Sequence, residues 1–412
     1  MTAQIDNPHV KVYDPNNTKH YFQTWLKNAN KHLKDLNPKD RDVIVQYIED
    51  MKNGINVQTK GQSKKGCRSY ARLLCLSSKL PQVARWIKQE YNKRLIQVDS
   101  EEVIKLFNKL RTGEILSNRG KPYKSWDDYA KDFKAFWNWW VRYNRRLDAK
   151  NGTKTYIPDV VIDLDDGGSA TKPSFHYIDD QGLQKLFDNA TFKYKVMMEF
   201  MIDTGCRSPS ELQNVLVSDI KKDKDDPKQS TCTIRDEVSK TFGRTFKLML
   251  CYNDLKKWIK DEKLKGDDRI FKGDQRSYNS YLKRLGYNIL KIGNSKLDPR
   301  TKQQLVSDGL TLYDFRHNSA CYWLPRYKTE SALLYRFGWR TRKMIEYYTQ
   351  FLGMKDTITE DDMLLDAQRT NLEQDNDKLR KDMALMQEQF TDMQKSLNAI
   401  KVYEKQLKKH AI

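Results

Sequence analysis

The chain has 412 residues, with 75 Lys and Arg against 55 Asp and Glu and a formal net charge of +20. That length can bury two cores and an appendage, and the positive excess predicts a polyanionic partner, either nucleic acid or an anionic membrane surface. No run of 18 apolar residues exists and residues 1–11 hold no apolar signal core, so neither a membrane-spanning nor a secreted protein is expected.

Residues 10–150 read as helical, with candidates at 21–33, 39–51, 64–77, 81–94, 100–109 and 125–146. In the third, Cys67, Tyr70, Leu73 and Leu74 form an apolar stripe, and Lys64, Lys65, Arg68 and Arg72 lie off it as candidate DNA contacts. Ser125 is placed to cap the last, which bears eight aromatics from Trp126 to Tyr143. Tyr129, Phe133, Phe136, Trp137, Trp140 and Tyr143 make its core stripe. Trp139 falls off that stripe, and Lys131, Lys134, Arg142, Arg145 and Arg146 take the opposite side. Such a basic face suits a phosphate backbone, and a merely solvated surface explains it about as well.

Residues 148–176 break the pattern with Asn151-Gly152, Pro158, an acidic run at 163–166, Gly167-Gly168 and Pro173, which together read as a flexible linker. Beyond it, Asp179 can cap a helix carrying Leu183, Leu186 and Phe187, and a helix over 193–203 leads into Thr204-Gly205. Alternation over 231–250 predicts a small antiparallel sheet, with Ser239-Lys240-Thr241-Phe242-Gly243-Arg244 between its strands. Helical patterns resume at Asn253, Ser277, Tyr313 and Ser331. In the tail, Leu365, Leu372, Leu379, Met386, Met393, Ile400 and Leu407 repeat every seven residues, and Asn376, Met383, Phe390 and Leu397 fill the partner position. That is a coiled-coil seam favouring two strands, unless the helix folds back on its own chain. From Asp356 on, nine Lys and Arg face twelve Asp and Glu, so the net positive charge lies upstream of the tail. The expected architecture is mainly α with a small antiparallel β-sheet: a helical domain over 1–150, a linker over 151–176, an α+β domain over 177–355 and a coiled-coil tail over 356–412.

Six dispersed cysteines without a Cys-x-x-Cys pair predict reduced thiols and no structural zinc. No Walker loop or metal-binding carboxylate cluster stands out, so no cofactor is expected. Three separated stretches do carry chemistry. They are Thr204-Gly205-Cys206-Arg207-Ser208-Pro209-Ser210-Glu211, then Tyr313-Asp314-Phe315-Arg316-His317, then Phe337-Gly338-Trp339 with Tyr348 nine residues past the tryptophan. An arginine fork donates to two phosphate oxygens and keeps its charge, and a tyrosine phenol can store a cleaved phosphodiester as an ester.

In order, context and spacing these stretches resemble the catalytic signature of tyrosine recombinases, the phage-integrase-like strand-exchange enzymes, most clearly over 175–352. The resemblance implies a clamp of two domains on double-stranded DNA and a tetramer joining two duplexes, located in the cytoplasm with the nucleoid. It implies Tyr348 as nucleophile, with Tyr347 as rival, and Arg207, Arg316 and Trp339 around the phosphorus. Lys240 on the hairpin is implied as acid toward the leaving 5′-oxygen, with Arg244 and Lys247 as alternatives, and Arg244 also among DNA contacts.

Two departures stand out. Tyr313 sits where the family has His, and a phenol is a poor acid–base group near neutral pH. Ser210 takes the expected acidic position, with Glu211 one residue later. Asp314 and His317 are expected to orient the helix rather than react. A type IB topoisomerase, or a catalytically silent DNA-binding protein dimerised through its tail, remains open at this level.

Overall fold

The computed structural model describes residues 12–55, 67–167, 175–224, 229–299 and 301–352, together with Leu379, Met383, Met386 and Gln387 of the tail. Residues 1–352 form one compact unit and 353–412 another. The proposed DNA contacts Lys64 and Lys65 lie outside the described residues, as does most of the heptad pattern. Leu379, Met383 and Met386, three of its seam positions, are helical and exposed.

The first six helices are α1 (Thr18–Lys27), α2 (Ala29–His32), α3 (Pro38–Asn53), α4 (Tyr70–Tyr91), α5 (Ser100–Thr112) and α6 (Trp126–Asn151). Local chemistry sets several boundaries. Asn37 accepts from the Lys39 amide with Pro38 in the first turn of α3, and Asp99 and Glu102 form a reciprocal capping box on α5. The two helices expected at 64–77 and 81–94 are one, since α4 runs through Pro81. Pro81 is buried there among Leu80, Val83 and Ala84, so packing outweighs the lost backbone bond. Ser125 occupies the cap position of α6 without a side-chain hydrogen bond.

These helices enclose a first core built on Phe22, Ile44, Leu73, Leu106, Phe133 and Trp137. Trp139, expected at the edge, is fully buried and donates its indole N–H to Asp50 at 2.9 Å. The supposed linker is also part of this core. Val160, Val161 and Leu164 are buried in it, and Pro158 accepts from the Trp137 indole at 2.9 Å.

A second core gathers α7 (Asp180–Asn189), α8 (Phe192–Thr204), a three-stranded antiparallel sheet, α9 (Tyr252–Asp261), α10 (Gln275–Leu290) and the start of α11 (Leu312–Trp323). The sheet orders β1 (Ile220–Lys222), β2 (Ser230–Ile234) and β3 (Arg244–Leu248), with Cys232 opposite Phe246. A separate exposed hairpin, β4 (Asn294–Leu297) with β5 (Gln304–Ser307), has no counterpart in the sequence expectations. The rest of α11, with α12 (Glu330–Phe337) and α13 (Lys343–Phe351), makes a third cluster around Trp323, Phe337, Trp339 and Tyr348. Asp179 caps α7 through the Gly182 amide at 2.7 Å, as expected.

Residues 12 and 13 belong by contact to the second core, not the first. Tyr13 exchanges two backbone hydrogen bonds with the Asn214 side chain, at 2.8 and 2.9 Å, and Arg269 lies 3.7 Å over its ring. Among the described residues no helix is long and apolar enough to cross a membrane.

Candidate active site

Helix α8 is buried along most of its length, and Ile202 and Asp203 receive α11 through Ser319 and Trp323. It ends on Gly205 in the left-handed region at φ 58°. A Cβ there would overlap the Phe337 ring, so glycine is what lets this turn meet the end of α12. Arg207 follows immediately. Its guanidinium donates to Glu211 Oε1 at 2.8 Å and to the Gly338 carbonyl at 3.0 Å.

Glu211 is wholly buried and accepts from the Arg207 amide at 2.8 Å, from Ser239 at 3.1 Å, and from Arg244 at 2.8 and 3.2 Å. Burial alone would favour its neutral form. The guanidiniums of Arg244, Arg207 and Arg316 outweigh that and hold its carboxyl at about 2. Glu211 therefore ties Arg207 and Arg244 together from one residue beyond the position where the resemblance expects an acidic group. Arg244 corrects an expectation: its side chain is fully buried between Glu211 and the Arg336 carbonyl, so it offers DNA no surface.

On α11, Asp314 accepts from the Thr311 amide and hydroxyl at 2.8 and 2.6 Å and from the His176 amide at 3.0 Å. That fixes the helix start, as its sequence position suggests. Arg316, buried one turn on, donates to the carbonyls of Gly205 and Phe337, the latter at 2.9 Å. Burial and the nearby Arg207 charge bring its pKa down to about 10, so it stays charged at neutral pH.

Helix α12 is anchored by a pair the sequence analysis did not find. Asp203 accepts three consecutive amides, Met249, Leu250 and Cys251, at 2.8, 2.7 and 3.1 Å, and its other oxygen takes Arg336 at 2.7 Å. Arg336 also lies 4.0 Å over the Trp323 ring. Asp203 adjoins the Thr204-Gly205 stretch, but nothing in the spacing connects it to Arg336. The anchored helix ends at Gly338, φ 61°, and presents Trp339. Trp339 stacks on Phe337 with centroids 4.6 Å apart and on Tyr348 at 5.5 Å.

Tyr348 is buried on α13, with its hydroxyl 2.7 Å from His317 Nδ1. Burial pushes its phenol well above the ordinary value, although Arg316 pulls the other way. Tyr347 is half-buried and meets Tyr348 edge-on at 5.0 Å. His317 adjoins this phenol from α11. It stacks on Phe175 at 4.5 Å, and burial lowers its pKa to about 4. Tyr313 is half-exposed and meets His317 edge-on at 4.9 Å.

Lys240 is exposed in the loop joining β2 to β3. That loop is tied to the site, since Thr241 donates to the Gly338 carbonyl at 2.8 Å and accepts from Arg340 at 2.8 Å. Lys247 is turned toward Asp223 at 3.4 Å.

Of the remaining basic candidates, Arg72 pairs with Asp132, Lys131 with Asp127 at 2.8 Å and Lys134 with Asp166 at 3.5 Å. Arg68 and Arg142 are half-buried, and Arg145 and Arg146 are exposed near the end of α6. All six cysteines are free thiols, and no metal-binding cluster occurs among the described residues.

No protein-family model and no curated protein matches the sequence. Solved structures do. A XerH site-specific recombinase bound to palindromic difH substrate, in a post-cleavage complex, aligns at 14% identity and TM-score 0.48, over 84% of this chain and 96% of that one. A lambda integrase dimer bound to a COC′ core site aligns at 14% and 0.47, over 77% and 98%. The Tn1549 transposon integrase in complex with circular intermediate DNA aligns at 14% and 0.44, over 78% and 96%. These neighbours are tyrosine recombinases and integrases. Similarity at that level carries no argument about activity, which rests here on the residues.

Proposed function

We propose that the chain is a site-specific DNA recombinase that cleaves and rejoins double-stranded DNA through a 3′-phosphotyrosyl intermediate, without ATP or a metal ion. One observation carries the reading. Arg316 and Arg207, far apart in sequence, donate to the successive carbonyls of Phe337 and Gly338, directly before the Trp339 ring that stacks on Tyr348. Two permanent positive charges and a phenol thus share one small region, as attack on a phosphodiester requires.

In this reading Tyr348 attacks the scissile phosphorus while Arg207 and Arg316 exchange their carbonyl partners for phosphate oxygens. Each such preorganised donor is worth roughly 3–4 kcal/mol of barrier. Trp339 offers its indole N–H, Tyr313 borders the cleft, and Lys240 protonates the departing 5′-oxygen. The helical region over 1–150 grips the duplex opposite the catalytic domain over 177–355. Four protomers assemble on two duplexes, with the coiled-coil tail pairing them. No step needs a membrane, and a cytoplasmic, nucleoid-associated location follows from the substrate.

The test uses the full chain and a pool of nicked duplexes of random sequence. Wild type should yield protein–DNA adducts stable to detergent, and sequencing the captured strands should return a common site. Tyr348→Phe should abolish the adducts while DNA binding persists, and Tyr347→Phe should keep them. Adducts lost in Tyr347→Phe and kept in Tyr348→Phe would move the nucleophile by one residue. Wild type forming none would leave a DNA-binding protein without this chemistry.

A further inference from the structure

The position three residues before Arg316, which the family resemblance reserves for an imidazole, holds Tyr313. That side chain is half-exposed, and phenols in general are poor acid–base groups near neutral pH. An imidazole nonetheless reaches the nucleophile from elsewhere. His317, one residue past Arg316, places Nδ1 2.7 Å from the Tyr348 hydroxyl, within the range of an aligned hydrogen bond. The contact is held from several sides. Phe175 stacks flat on the imidazole at 4.5 Å and 11°, Tyr313 meets its edge, and Trp339 stacks on the Tyr348 ring.

We propose that His317, not the residue at position 313, is the proton acceptor for the Tyr348 phenol. This rests on the phosphotyrosyl reading above and names the group that activates its nucleophile. As the Tyr348 Oη–P bond forms and the P–O5′ bond breaks, the phenolic proton passes to His317 Nδ1 and O5′ takes a proton from Lys240. On rejoining, the 5′-hydroxyl returns its proton to Lys240, and His317 reprotonates the departing phenolate. Protons and bonds balance in both directions with no outside reactant.

The charged and titratable groups facing His317 suit a neutral acceptor. Asp314 and Arg316 from its own helix act in opposite directions, Tyr313 flanks it, and α13 contributes Tyr347 and Tyr348. Burial keeps the ring unprotonated in the absence of substrate, which leaves Nδ1 free to accept provided Nε2 carries the hydrogen.

Two measurements on the full chain test this. Selective ¹⁵N-histidine NMR of the DNA-free protein at pH 7 should show His317 neutral, with Nε2 protonated and Nδ1 not. A protonated Nδ1 would overturn the proposal without touching the phosphotyrosyl reading. The second measurement is the rate of adduct formation on the duplex that wild type captures. His317→Asn keeps an acceptor oxygen near the Nδ1 position but cannot hold a proton, whereas His317→Ala removes both.

Both variants should bind DNA as wild type does and cleave about 100-fold or more slowly, the usual size of a lost general base. A duplex with sulfur replacing the bridging 5′-oxygen has a leaving group that needs no acid. It should restore Lys240→Ala and leave His317→Ala slow. Wild-type rates in His317→Asn would reduce His317 to a positioning residue, and sulfur rescue of His317→Ala would place it on the wrong side of the phosphorus. If wild type forms no adduct on any duplex, the parent reading fails first and takes this inference with it.

Discussion

Glu211 shows how one buried charge can be a better organiser than any exposed pair. Its two oxygens bind Arg207, Arg244 and Ser239 together, so the arginine that reaches the Gly338 carbonyl and the arginine on β3 share one anchor. Removing one member of a buried pair leaves the other unsatisfied. Glu211→Gln should cost about 3–5 kcal/mol in denaturant unfolding and slow cleavage by loosening Arg207. Glu211 and His317 both lose stabilisation on acidification, over different pH ranges. Glu211 has a folded pKa near 2, below its ordinary 4.5, so its stabilisation is present above 4.5 and lost as pH falls toward 2. His317 has a folded value near 4 against an ordinary 6.5, so its share is complete above 6.5 and lost as pH falls toward 4. Thermal melts from pH 7.5 to 4.5 should therefore fall less steeply in His317→Asn than in wild type. An equal slope would mean that the imidazole titrates normally.

At the scale of elements, the site is made by helix ends rather than by helices. Helix α8 stops at Gly205 and α12 at Gly338, both left-handed, and the two turns touch through the Phe337 ring, Arg207 and Arg316. Gly205→Ala should be destabilised by about 1–2 kcal/mol from backbone conformation alone. It should lose more through the displaced Phe337, with adduct formation falling further than stability does. Most helices were legible from periodicity, and the cap at Asp179 from its position ahead of the apolar pattern. The failures have local causes. Pro81 reads as a start but lies inside α4, where burial overrides its cost. Residues 157–164 read as linker by composition, yet Val160, Val161 and Leu164 complete the first core. Trp139 is off the aromatic stripe but finds Asp50 on α3, a partner 89 positions away that periodicity cannot see.

Across the whole molecule, the three core clusters all lie within residues 12–352, and the tail forms its own unit. A chain ending at Leu352 should melt at the same temperature as the full chain and lose self-association by mass measurement. An unchanged assembly state would remove the pairing role from the tail. Charge also acts at this scale. Several basic candidates, Arg72, Lys131 and Lys134, face acidic partners, whereas Arg145 and Arg146 stand exposed near the end of α6. Arg145→Ala with Arg146→Ala should weaken DNA binding at all sequences and reduce the slope of log affinity against log salt by about two. An unaltered slope would put the duplex on another face.

The chemical inventory was readable from the chain alone: two arginines in recognisable settings, a tyrosine at a set distance past a tryptophan, and a positive excess upstream of the tail. Those are local patterns, and local patterns survive in one dimension. Which groups hold them was decided only on folding. Glu211 being shared by two arginines, Asp203 gripping Arg336, Arg244 turning inward and His317 meeting Tyr348 all join distant segments. Burial decides whether each such charge or ring is available to a partner, and burial belongs to the packed molecule rather than to any stretch of its sequence.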